Sequence, residues 1–360
     1  MSRLVRIGSA AALLVFAAVA GLEADHRPAT LAVTMTNDPV SNQIMVYDVG
    51  SRVLLQTLST RGKGGVAGNA RGVRQYRDEI VAVVNNGSNT VAVYKRDGDG
   101  LRFDKLVTTT SAPVSVDFAN DHMYVAGATT VDSFVIHQNN VEWLDGTASL
   151  ELAGGGAPPN GSTAQVGALD DRRLLVTLKT DPDPGTVDIV RLHDGAITGA
   201  APVAVSAPAG TLTPFGFSAY PDGTAVITLA HSSQAGLFRD GAFASVIGAS
   251  QAADCWTTRA GKYVFTANTG SKTISRLIGT GNNVFVDASV AATIATGGAP
   301  ADIDTDEGVL GVIDHGAGQS HLSLFTYNAF GELTAGGAPI NVGVANANGI
   351  AIMVPSDRDE

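Results

Sequence analysis

Several polar residues interrupt otherwise small and apolar segments of this chain, and their types suit recognition of a small polar or carboxylated molecule. Asn69, Arg71, Asn160, Gln165, Asp302 and Asn348 are the main ones. An arginine can fork two N–H donors onto a carboxylate, while neighbouring amides and carboxyls orient an ester. Arg71 is the only cation on these segments as the sequence delimits them. Phe215 and Trp256 fall on two further segments of the kind, where they either stack on a ligand or act as bulky pegs between elements. His231 and His315 sit in the turns Leu229-Ala230-His231-Ser232 and Ile313-Asp314-His315-Gly316, which read as equivalent. Either histidine could activate water as a general base if its turn faces a ligand. The alternative is plain: polar groups line a water-filled shaft, and the histidines are solvated.

Other chemistries lack support. No His-x-His, His-Glu-x-x-His or Cys-x-x-Cys spacing occurs, so neither a metal nor another cofactor is expected. Asp97-Gly98-Asp99-Gly100 and Asp181-Pro182-Asp183-Pro184-Gly185 lack the downstream glutamate of a calcium loop. No glycine-rich loop leads into a helix, which removes nucleotide binding. Cys255 lies between Asp254 and Trp256 with no basic residue beside it, and reads as a packed small residue.

The elements that must position these residues repeat. Seven times an apolar strand enters a polar turn and leaves as a second strand: Met35–Val49, Ile80–Tyr94, Met123–Ile136, Leu174–Val190, Ala225–Phe238, Tyr263–Leu277 and Leu310–Tyr327. A small-residue segment precedes each later hairpin by about ten residues, as in Asn69–Val73 and Ala299–Ile303. A period of roughly 40–50 residues built from short strands predicts an all-β, seven-bladed β-propeller, with those segments as the strands around its central channel. The first hairpin has no such segment before it, and Asn346–Ile350 has no hairpin after it. One blade should therefore be closed by N- and C-terminal strands, leaving no free sheet edge.

The ends and the bulk numbers bound the rest. Arg3 and Arg6 precede the apolar run Ile7–Val19, and Ala18-Val19-Ala20 suits signal cleavage. The expectation is a signal peptide over 1–20, a propeller over 21–355, a disordered tail over 356–360, and export to the periplasm or exterior. The mature chain holds 34 acidic residues against 23 − 2 = 21 basic ones, which argues against nucleic acid and anionic membrane surfaces as partners. With one cysteine no internal disulfide forms, so ring closure must supply stability, and a monomer is the default.

Several strings carry a family likeness. Thr213-Pro214-Phe215-Gly216-Phe217, Ala253-x-Cys255-Trp256 and Thr266-Ala267-Asn268-Thr269-Gly270-Ser271 stand with Gly68-Asn69-Ala70-Arg71-Gly72 and Val83-x-Asn85-x-Gly87-Ser88. Together they resemble the exported branch of the seven-bladed lactonase and 3-carboxymuconate cyclase family, which overlaps with YVTN/YncE-like propellers. The resemblance implies a lactone-opening or lactone-forming enzyme with its site at one channel mouth. This chain departs from better-understood members at Ala157-Pro158-Pro159-Asn160-Gly161-Ser162, where they carry a Pro-His pair. Two readings follow: a lactonase-like enzyme on a small carboxylated or sugar-derived lactone, or a non-catalytic propeller that binds a small ligand or a protein.

Overall fold

The computed structural model describes residues 28–150, 163–179, 185–287 and 294–355. Seven antiparallel sheets are arranged as the blades of a ring. Blade 1 is closed as expected: Leu31–Met35 pairs outward with Gln43–Asp48 and inward with Asn348–Met353, Leu31 lying opposite Met353. The inner strands of blades 2 to 7 are Val73–Tyr76, Pro113–Ala119, Thr163–Ala168, Pro214–Ala219, Asp254–Ala260 and Ala299–Asp306. Their small residues let seven strands converge on one axis.

Burial falls off from the axis outward, and the sequence pattern follows it. The second strand of blade 2, Ile80–Asn85, is buried at every position because both faces of a blade pack on its neighbours. Its side chains join one apolar cluster with Met123 and Val125 of blade 3 and Ile44 and Val46 of blade 1. Each such large side chain contributes about 1.5–3 kcal/mol by leaving water. The outermost strand of blade 1, Leu54–Ser59, alternates between exposed and half-buried. Most Asx-Gly turns have the expected positive φ, as at Asp240 (50°) and Gly241 (81°). Asn86-Gly87 differs: Asn89 takes the left-handed conformation, at φ 54°. Gly87 serves close approach instead, since a Cβ there would lie 2.9 Å from the Gly64 carbonyl oxygen.

Candidate functional site

The connection from blade 1 to blade 2 does not stay on the rim. It turns inward at Gly65 (φ 95°) and Gly68 (φ 57°) and enters the mouth where the inner strands begin. Asn37 anchors its start, accepting from the Gly65 and Val66 N–H groups and donating to the Val66 carbonyl at 2.8 Å. Deeper in, the Ala70 N–H donates to Ala164 of blade 4 at 3.0 Å, and the Asn69 side chain donates to Val114 of blade 3 at 2.8 Å. The Trp256 indole of blade 6 donates to the Asn69 carbonyl at 2.7 Å, and Lys179 of blade 4 donates to the Gly68 carbonyl at 2.6 Å. A segment that meets blades 3, 4 and 6 at once can only lie on the axis. Asn69 and Ala70 are buried accordingly, so residues 64–72 plug this mouth.

Arg71 ends the plug and points into the channel core. Its backbone N–H donates to Asp302 of blade 7 at 2.9 Å, and its guanidinium meets Asp117 of blade 3 at 3.2 Å. Its own φ of 59° is strained for a residue with a Cβ, and persists because contacts on several blades over-determine it. Arg74, on the inner strand of blade 2, grips Asp117 and Asp304. Burial opposes the Arg74 charge, but Asp304 and Asp117 outweigh it and raise its proton affinity. Burial lifts Asp302 to a pKa of about 7, although it accepts two backbone N–H groups. With Asp302 protonated, two cations face two anions in a balanced core.

Gly167 makes room for this pair. A Cβ there would lie 2.9 Å from Arg71 Nη1 and 3.0 Å from Asp117 Oδ2. Gly167→Ala is expected to cost about 1–3 kcal/mol by overpacking, read as a lower urea midpoint at unchanged m-value; an unaltered midpoint would show the cluster to be loose.

The structure brings most of the sequence candidates together, in contact with one another. Phe215 and Trp256 pack edge to face at 5.5 Å between ring centroids, with Trp256 also hydrogen-bonded to the plug. Gln165 bridges blades 4 and 5, donating to the Phe217 carbonyl and accepting from the Phe217 N–H. The Asn69 and Asn348 side chains both lie against Gly72, where a Cβ would be 2.9 Å from each. Asn160 lies outside the described residues. Trp256→Phe is expected to cost about 1–2 kcal/mol, because it strips the Asn69 carbonyl of its donor; equal urea midpoints would mean the indole N–H does not hold the plug.

The two histidines are not equivalent, which corrects the reading of their turns. Backbone pairing sets Leu229 opposite Pro214, Asn268 opposite Asp254, and Asp314 opposite Pro300. His315 is therefore level with Thr269, and His231 is level with Gly270. His315 bonds the Ala347 carbonyl of blade 1 through Nε2 at 2.8 Å, just as Thr269 bonds the Pro300 carbonyl of the next blade. His315 is a latch between blades. His231 is exposed on the plugged face, with Nδ1 2.8 Å from the Thr213 hydroxyl. Lys179 follows Leu178, which pairs with Thr163, so in blade 4 it stands level with His315, and burial lowers its pKa to about 8.

Two residues escaped sequence reading because the inner strands run further than their small-residue starts. Arg74 is a second cation in the channel, with its side chain 24% exposed. Asp306 is half-buried at the end of the blade 7 inner strand, two residues past Asp304. It accepts the Val354 N–H at 3.0 Å, and burial lifts its pKa to about 7. Arg74 and Asp306 mark the mouth where the inner strands end, opposite the plug.

Other constellations carry no chemistry here. His122 meets Asp145 at 2.8 Å and Ser133 donates to the same carboxylate, so the aspartate stands between serine and histidine and no nucleophile is activated. Burial raises the Cys255 thiol to about 12. Among the described residues no group of three or more His, Cys, Asp or Glu side chains is placed to hold a metal.

No family model and no curated protein matches this chain. Solved structures do. A Lactobacillus plantarum protein superposes with a TM-score of 0.64 at 18% identity, over 90% of this chain and 100% of its own. The Pseudomonas aeruginosa periplasmic gluconolactonase gives 0.63 at 14% identity, over 91% of this chain and 100% of its own. A Bacteroides fragilis protein provisionally described as a 6-phosphogluconolactonase gives 0.63 at 14%, over 91% and 98%. At such identities the likeness establishes architecture, and this chain is a seven-bladed β-propeller built like those of gluconolactonase-type proteins.

Proposed function

We propose that this chain is an exported lactonase-like enzyme that hydrolyses a small carboxylated or sugar-derived lactone at the mouth opposite the plug. The observation that carries this reading is Asp306: a half-buried carboxyl with a pKa of about 7, on the strand whose Asp304 is gripped by Arg74. Carboxyls poised near the working pH serve as general bases. Asp306 would take a proton from water as its oxygen attacks the lactone carbonyl. Arg74, oriented by two aspartates, would face the developing oxyanion or a carboxylate on the substrate. The acyl–oxygen bond then breaks, the ring oxygen takes up the proton, and a hydroxy acid leaves.

The shared propeller supports a lactone as substrate class, and no helix among the described residues is long and apolar enough to cross a membrane. A pH-stat assay of the purified protein on γ- and δ-lactones tests the proposal. Acid release above the spontaneous rate, lost in Arg74→Gln, is expected; a rate equal to the blank across the panel would refute it.

A further inference from the structure

Blades 4 and 5 leave a hollow between them, on the face where the inner strands end and outward from the axis. Its volume is about 480 Å³, within the range of small-molecule sites. Ile189, Leu192 and Val203 form an apolar wall, and Arg172, Arg173 and Arg191 stand around it. Val203 is 44% exposed there, although it belongs to a strand paired with the sheet. Three guanidinium groups at one hollow are unusual on a chain of net charge −11.

The arginines are placed against the interest of the sheet. Arg173 and Arg191 lie directly opposite on paired antiparallel strands, where like charges are destabilising. Asp170 neutralises one of them, accepting from Arg173 Nε at 2.9 Å and from Nη2 at 2.6 Å. Among the described residues no carboxylate lies within ion-pair distance of Arg172 or Arg191, and both are exposed. The acidic side chains nearby, Asp171 and Asp194, line an adjoining hollow that shares Arg172 and Leu192 with this one. Arg173 and Arg191 line this hollow alone, so two of its three cations stand beside the apolar wall and away from those carboxylates.

We propose that this hollow binds an amphipathic carboxylate, of the class of medium-chain fatty acids and aromatic acids. The carboxylate lies between Arg172 and Arg191, and the apolar body covers Ile189, Leu192 and Val203. Occupancy sets a counter-charge beside Arg191, the member of the Arg173–Arg191 pair that Asp170 does not neutralise. The site is separate from Arg74 and Asp306, so it stands whether or not the chain opens lactones.

Calorimetric titration of the full chain with decanoate, decanol and acetate tests this. Decanoate should saturate with a Kd on the order of 1 mM or tighter, and the two fragments, lacking either head or body, should bind more weakly. The double variant R172Q/R191Q should weaken decanoate at least about fivefold. V203D, which places an anion on the apolar wall, should abolish binding. Both sites are exposed, so neither variant should melt below wild type, which excludes unfolding as the cause, and R172Q/R191Q, freed of the Arg173–Arg191 opposition, should melt slightly above it. Decanoate affinity unchanged in R172Q/R191Q, decanol binding as tightly as decanoate, or no saturation would each overturn the proposal.

Discussion

Asp306→Asn is expected to lower lactone turnover by about 10²–10⁴-fold, the share a positioned general base supplies. The amide keeps the shape and can still accept the Val354 N–H, so the ring should fold unchanged. A base must be deprotonated to act. With a pKa of about 7, the wild-type rate should therefore rise with pH, reach half its plateau near pH 7, and flatten above pH 8. The variant should lose that rise along with the rate. A merely structural Asp306 would leave the pH profile in place, and initial rates from pH 5 to 9 separate the two outcomes.

The second large effect is on stability, at Asp254. This carboxyl starts the inner strand of blade 6, is wholly buried, and among the described residues finds no hydrogen-bond partner from any other residue on either oxygen. Burial raises its pKa from 3.8 to about 8. Between those values the folded chain holds a proton that the unfolded chain has released, so stability falls as pH rises. The contribution is intact below pH 4 and has been lost once pH passes 8. Asp254→Asn keeps the volume without the charge, and should stabilise the protein at pH 8 by as much as about 5 kcal/mol. Calorimetric midpoints should coincide at pH 4 and differ by roughly 10 °C at pH 8. Coincident midpoints at both pH values would show that water or an ion reaches Asp254.

The ring itself was legible because each blade repeats local chemistry. Val81–Tyr94 contains an apolar strand, a polar turn and a second strand within fourteen residues, and its pairing follows from that stretch alone. Closure was legible for a related reason, since an orphan strand at each end leaves one solution. The plug was not legible. Nothing local in Gly64–Gly72 announces that Ala70 will bond Ala164, or that Trp256 will reach Asn69.

The same limit explains the site. Asn69, Arg71, Gln165 and Asp302 lie around the axis, but their partners lie between about 45 and 231 residues away in sequence. Local sequence therefore carries no sign of which residues they engage. His231 and His315 looked alike because their turns share a local pattern, whereas pairing sets them one position apart. Arg74 and Asp306 lie past the small-residue beginnings of the inner strands, where no local pattern marks the strand as continuing.

Amide hydrogen exchange across residues 64–72 tests the plugged channel most directly. If the segment seals one mouth, the Ala70 N–H on Ala164 and the Arg71 N–H on Asp302 should exchange only through global unfolding, at the rate of amides in Ile80–Asn85. Exchange within seconds, at the rate of an exposed loop, would contradict the account and reopen that mouth to ligands.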